Sequence, residues 1–455
     1  MRNSRNKEKP MVAVRMVVVA AVLMALSLLP CYGQSSASAQ TVRECIAQNR
    51  FFPASNYSVY PDTALLPLTD APVGKHPFYI SHYGRHGSRY LSNRKAYDIP
   101  YMTLLRADSL DNLTDIGREV MRQLKNIIDD AEDRWGDLSG YGKSQQRGII
   151  KRMVKRFPKV FADSAFIDAR STTVHRCIIT MGSAIQQLAR QNPLLDIRME
   201  ASKRDLWYMN HQDRQLRDSM KSKRALANYS MVRRKLIADR QLVGSIFRDP
   251  DKMFGSKKDD EGWFKYYLIL TGLIQKNTHM SNRVSIIDLV SNDDLYHFWE
   301  SENGWWYLQY GGYLMNGGKQ PFMQRFLLRR MIEQADSIIQ TGKHGAHLRY
   351  GHETIILPLV CLMGINGYDL QTDNLGELEE KGWWSNLVFP MSSNVQLVFY
   401  RTSPSDNDVI FKVLLNENEA TLPLPTDIAP YYHWRDFRSY YLNKIEAYEE
   451  WKNNR

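Results

Sequence analysis

The chain has 455 residues, 43% apolar and 24% charged, which excludes a disordered polypeptide and allows two domains or one large core with an inserted subdomain. Its formal net charge is +11; without the five bases and one acid of residues 1–40 it is +7, which suits a polyanionic ligand and nucleic acid equally. Beyond residue 40 no apolar run reaches about 18 residues, so the sequence encodes no stable membrane span.

Residues 1–39 read as a signal peptide. Arg2, Arg5, Lys7, Lys9 and Arg15 lead into the apolar run Met16 to Leu29, and Ala37-Ser38-Ala39 forms a small-residue cleavage site. Export to the periplasm or the exterior follows. Cys31 invites a minor reading as a lipid anchor, although Pro30 stands where a small residue belongs. Cleavage after Ala39 leaves Cys45, Cys177 and Cys361, too few and too scattered for a disulfide framework or a cysteine metal site.

The apolar stretch His76 to Tyr83 reads as a strand, and Arg85-His86-Gly87-Ser88-Arg89 follows it as a loop. Two guanidinium groups, charged at any relevant pH, present forked donors that match phosphate oxygens. The imidazole between them can attack phosphorus through a neutral ring nitrogen, and the glycine lets backbone approach an anion closely. Leu113-Thr114-Asp115 starts a helix whose apolar spacing runs from Ile116 to Trp135, and a second helix is expected from Lys143 to Phe157. The bases of that second helix read first as a solvated face and second as a polyanion-binding surface.

Ala165 to Ala169 is a short strand ending at Arg170-Ser171-Thr172, where the hydroxyls can cap a helix running through Leu188. An arginine at a strand–helix junction suits an anion or an ion-pair partner equally. Residues 191–335 lack strand alternation and read as a helical insert; its Trp and Tyr residues read as core, since no compact basic-aromatic motif for nucleic acid accompanies them. His347 to Gly351 reads as a strand passing into a helix or turn at His352-Glu353, and Asn394 to Arg401 pairs with Asp408 to Leu415. Strands mixed with helices on both sides imply an α/β core. The domain reading is 1–39 signal peptide, 40–190 first part of the core, 191–335 helical cap and 336–455 second part of the core.

His352-Glu353 supplies what an attacking imidazole lacks: a donor to phosphate oxygens and an acid for the leaving alcohol. That acid must be protonated when phosphate binds, which favours weakly acidic conditions or a raised pKa. A zinc peptidase also begins with His-Glu but needs a second histidine at position 356, which is isoleucine.

Arg-His-Gly-X-Arg near the N-terminus with a His-acid pair far downstream resembles the histidine acid phosphatases, across most of the mature chain. The resemblance extends over Arg170-Ser171-Thr172, Arg176, Ser183 and the segment Leu138-Ser139 to Phe157. It implies His86 as nucleophile, Arg85, Arg89, Arg170 and His352 as the phosphate clamp, and Glu353 as proton donor. It also implies an α/β core sheet flanked by helices with an inserted helical cap, and no metal or cofactor. Gly351 to Leu359, with Asn394, Gln396 and the hairpin after them, is most similar to the multiple inositol polyphosphate phosphatases. That branch carries His-Ala-Glu, whereas Thr354 here holds the acid's usual place and Glu353 sits where other branches have aspartate. The reading is an exported phosphomonoesterase acting on inositol polyphosphates such as phytate through a phosphohistidine. The alternatives are an acid phosphatase for sugar phosphates or other phosphomonoesters, and a phospholigand-binding relative without turnover. Which ester is cleaved first and the oligomeric state are encoded by no motif.

Overall fold

A computed structural model of the protein describes residues 40–220, 222–278 and 285–454. The signal-peptide and Cys31 readings lie outside the described residues. Ten strands are present among them: β1 (His76–Arg85), β2 (Phe166–Ser171), β3 (Asp196–Ala201), β4 (Gly312–Tyr313), β5 (Gly345–Gly351), β6 (Gln371–Thr372), β7 (Asn394–Arg401), β8 (Ile410–Leu415), β9 (Asn418–Ala420) and β10 (Tyr432–His433). The main sheet runs β10-β8-β7-β1-β5-β2-β3, with β9 beside β8, while β4 and β6 pair separately. β1, β5, β2 and β3 are parallel, and β7, β8, β9 and β10 continue the sheet with antiparallel pairings. The fold is the expected mixed α/β class.

Parallel strands with helices on both faces should be apolar on both sides, and successive residues divide accordingly. Tyr79 and Tyr83 of β1 pack in one apolar core and Ile80 in the other. β7 is buried along its whole length, with Val395, Leu397 and Phe399 in one apolar core and Val398 and Tyr400 in another. Two of its polar residues are bonded inside the protein: Asn394 Nδ2 donates to the Tyr60 hydroxyl and Gln396 Nε2 to Asn394 Oδ1. Between β3 and β5 the described chain consists of helices and the two-residue strand β4. Part of this segment packs with helices that precede β2: Leu104, Val120 and Leu124 share an apolar core with Leu242, Phe264 and Phe298.

Local differences from the sequence reading have identifiable causes. The helix expected to reach Trp135 ends at Ala131, because Glu132 is extended and Asp133 adopts φ 56°. The next helix spans Gly140–Arg156, starting before Lys143 because Ser139 caps it by accepting from the Gly142 N–H. Of its bases, Arg152 pairs with Asp62 and Glu417, and Arg156 donates to the Glu417 carbonyl; these two hold structure rather than a polyanion. Ser171 and Thr172 do not cap the helix after β2, which begins at His175 with Val174 as its uncapped N-terminal neighbour. Among the described residues no helix is long and apolar enough to cross a membrane.

Candidate active site

The C-terminal ends of β1 and β5 lie side by side, with Arg85 opposite Gly351. This is where an open α/β sheet places a ligand. The His86 N–H donates to the Gly351 carbonyl at 3.0 Å, and the Ser392 N–H donates to the His86 carbonyl at 3.0 Å, which fixes the loop between β5 and β7. The Gly87 N–H donates to Thr180 Oγ1 and the Ser88 N–H to Gln145 Oε1, so the loop is clamped from its other side. Gly87 serves packing. A Cβ there would stand 2.4 Å from the Gly142 carbonyl oxygen, at the first turn of the helix Gly140–Arg156. The close approach expected of this glycine is therefore to a helix.

His86 is fully buried, and its Nδ1 lies 2.9 Å from the Gly87 carbonyl oxygen. A carbonyl only accepts, so the ring proton sits on Nδ1 and the Nε2 lone pair is left free. Nε2 has no hydrogen-bond partner and lies 3.5 Å from Glu353 Oε2. Burial pushes this imidazole well below its ordinary pKa, Arg85 and Arg89 push it the same way, and together they outweigh the opposing pull of Glu353. A neutral, unprotonated Nε2 is the form that can act as a nucleophile.

Glu353 is the first residue of the helix Glu353–Met363, and His352 is the extended residue that precedes it. Arg85 Nε donates to Glu353 Oε2 at 3.1 Å, Asn56 Nδ2 donates to Oε1 at 3.3 Å, and Arg89 Nη2 stands 3.9 Å from Oε1. Burial alone would raise the carboxyl pKa, but the positive charges of Arg85 and Arg89 hold it well below the usual range. Of the two conditions the sequence allows for protonation with phosphate bound, weak acidity or a raised pKa, the second is not met in this arrangement, where the carboxylate is ionised and already sits on the arginines. His352 Nε2 lies 3.2 Å from Thr172 Oγ1, and its ring centroid is 5.8 Å from that of His86. Burial lowers His352 to about 4, with Arg176, Arg85 and Arg89 adding to the effect and Glu353 opposing it. The Cys177 thiol beside it donates to the Gly351 carbonyl at 3.3 Å, and burial pushes it up to about 11, so it is unreactive.

Arg85 is held by the carbonyls of Asn56 and Phe389, both 2.6 Å from Nη1, while Arg89 Nη1 donates to the Tyr90 carbonyl at 2.8 Å. Arg85 Nη2, Arg89 Nε and Arg176 Nε are buried without a protein partner. Unpaired cationic donors are costly to bury, and gathered around one imidazole they define an anion site.

The structure does not bring Arg170 into this group. Its guanidinium pairs with Asp168 at 2.6 Å, with Asp205 at 3.3 Å and with Glu200. These carboxylates consume its donors, so the expected role in the clamp is replaced by that of an ion-pair partner. Arg176, in the first turn of the helix after β2, is the additional cation instead: its half-buried guanidinium acts electrostatically on His352, Glu353 and Arg89. Burial and Arg89 both lower its pKa. The sequence carries a signal for it, because a cation in the first turn of a helix opposes the helix dipole and calls for an anion nearby. Asn56, which belongs to a short turn before β1, carries no such signal.

His86, His352 and Glu353 offer ligand atoms that all lie within 4.8 Å of one another, so a metal ion would fit by distance. The surrounding Arg85, Arg89 and Arg176 favour an anion there over a cation.

The chain has the histidine acid phosphatase fold. It superposes on the multiple inositol polyphosphate phosphatase of Bifidobacterium longum, solved in complex with inositol hexasulfate, with a TM-score of 0.71 and 19% identity over 86% of this chain and 97% of that one. The apo form of that protein gives 0.72 and 18% over the same shares. The phytase from D. castellii gives 0.62 and 15%, over 87% of this chain and 85% of that one. No family model and no curated protein matches the sequence.

Proposed function

We propose that this protein is a phosphomonoesterase that hydrolyses inositol polyphosphates such as phytate through a phosphohistidine intermediate. The observation that carries the reading is His86 Nε2, neutral and unpartnered, beside Glu353 and within a ring of arginine donors. The inositol hexasulfate bound by the Bifidobacterium longum protein of the same fold supports the substrate class.

In the proposed reaction Arg85, Arg89, Arg176 and His352 hold the phosphate oxygens. The His86 Nε2 lone pair forms the N–P bond as the P–O ester bond breaks, and its electron pair leaves on the alcohol oxygen. That oxygen takes the proton of Glu353. An arriving phosphate draws the guanidinium groups off Glu353 and adds negative charge beside it; both changes raise the carboxyl pKa, so its proton is acquired with the substrate. Water then attacks phosphorus, gives its proton to the Glu353 carboxylate, and the N–P pair returns to Nε2.

Residues 1–39 support export of this enzyme as a cleaved precursor, and an N-terminus at Gln40 in the exported protein is the expected result. Purified residues 40–455 should release phosphate from phytate. Inactivity on phytate with turnover of sugar phosphates would replace the substrate; absence of an acid-labile phosphoryl adduct on His86 in single-turnover labelling would replace the mechanism.

A further inference from the structure

We infer that Asn56 is a positioning residue for the proton donor: its side-chain amide fixes Glu353 so that the proton is carried on Oε2, the oxygen nearest His86. The inference rests on the reading of Glu353 as the acid that protonates the leaving oxygen. Asn56 is 7% exposed and belongs to the turn Phe52–Tyr57, in which Ser55 takes φ 53°. It makes two contacts with the site. Its Nδ2 donates to Glu353 Oε1 at 3.3 Å, and its backbone carbonyl accepts from Arg85 Nη1 at 2.6 Å. The turn is itself anchored, since Asn277 Nδ2 donates to the Tyr57 carbonyl at 2.7 Å and the Met391 N–H to the Ser58 carbonyl at 2.8 Å.

The chemistry of the amide decides the consequence. An N–H can only donate, so the oxygen it faces must accept in both protonation states of Glu353. Of the two oxygens of a carboxylic acid, the carbonyl oxygen is the better acceptor, which leaves the hydroxyl on Oε2. Oε2 is 3.5 Å from His86 Nε2 and so faces the position of the phosphoryl group that this nitrogen attacks. Arg85 Nε also donates to Oε2, but its charge is drawn to a phosphate dianion, whereas the neutral amide of Asn56 stays on Oε1. Asn56 thereby keeps one oxygen occupied while the other is released for proton transfer.

The test compares two esters that differ in their need for an acid. Glycerol phosphate expels an alkoxide that must be protonated; p-nitrophenyl phosphate expels a stable phenolate. For Asn56→Ala we expect kcat/KM to fall about 30-fold on glycerol phosphate and about 3-fold on p-nitrophenyl phosphate, within the range for loss of a group that orients a reacting one. Asn56→Asp preserves size and the backbone carbonyl but removes the donor, and should show the same split near neutral pH. Its activity on the alkyl ester should recover below about pH 5, where a protonated carboxyl donates again. Equal losses on both esters in Asn56→Ala and Asn56→Asp would reduce Asn56 to a structural role and overturn the inference. A wild-type protein that hydrolyses neither of these esters nor phytate would instead overturn the proposed function, and this inference with it.

Discussion

Two arginines at the C-terminal ends of neighbouring parts of one sheet have opposite fates. Arg85 closes β1 and Arg170 lies near the end of β2, each just before a turn into other structure. Arg85 is fully buried, faces one carboxylate and keeps Nη2 unpaired; Arg170 is less buried and meets three carboxylates. A guanidinium is an anion-binding group only where its donors exceed the protein acceptors around it. At β2 the acceptors win, because Asp168 lies two residues away on the same strand face and Glu200 lies opposite on β3. At β1 the carbonyls of Asn56 and Phe389 orient the group without neutralising it.

The largest way to break this contrast is at the imidazole. His86→Ala should lower phosphate release by about 10⁴-fold or more and abolish the phosphoryl adduct, since the nucleophile and its helpers act as a unit. An adduct that persists in this variant would place the nucleophile elsewhere.

The next comparison sets Arg176→Ala against Arg170→Ala. Loss of Arg176 should cost about 10²-fold in kcat/KM with little change in thermal stability, as expected for a donor aimed at developing charge. Loss of Arg170 should leave kcat/KM within about 3-fold but lower stability by about 1–2 kcal/mol, because the carboxylates of Asp168, Glu200 and Asp205 are left facing one another. The reverse pattern would return Arg170 to the clamp. Steady-state kinetics and calorimetry on the two variants separate the outcomes.

What is legible in the sequence follows from which physics is local. The strand ending in Arg85, the strand–helix junction at His352-Glu353 and the hairpin after Asn394 are written in short apolar runs, and the α/β class follows from them. The choice between Arg170 and Arg176 is not local, because it depends on Glu200 and Asp205, carried by another strand and the turn after it. Asn56 is illegible for the same reason. It lies 297 residues from Glu353 in sequence, in a turn whose composition names no partner. The ionised state of Glu353 is not legible either, because burial of the carboxyl is foreseeable from its neighbours and the density of arginines around it is not.

Acid sensitivity should separate the two regions further. Burial lowers His82 to about 3 and His352 to about 4, so both are neutral in the folded protein and protonated in the unfolded chain below pH 6.5. The unfolded chain then binds more protons, and the stability these groups contribute is present above pH 6.5 and lost as the pH falls towards 4. For His82 the loss is on the order of 3 kcal/mol by pH 4. Thermal unfolding at pH 7 and pH 4.5 should show the decline, and His82→Gln, which removes a buried titrating group of β1 that the proposed reaction does not use, should flatten it. An unchanged slope in that variant would locate the acid sensitivity in other groups.

The smallest effect concerns the hydroxyl behind His352. Thr172 is fully buried at the end of β2, and its Oγ1 lies 3.2 Å from His352 Nε2, so it sets the orientation of the ring that is to meet the phosphate. Other contacts help to hold that ring, since the His352 carbonyl accepts from the N–H groups of Ile355 and Ile356, and Cys177 packs 3.7 Å from its Nε2. Thr172→Val keeps the shape and deletes one hydrogen bond worth about 1 kcal/mol, so kcat/KM should fall about 5-fold. Thr172→Ser should restore it, because the hydroxyl returns. If serine were impaired and valine were not, the methyl group and its packing would be holding the ring. The strand that spends its arginine on an ion pair would then contribute to the site by shape alone.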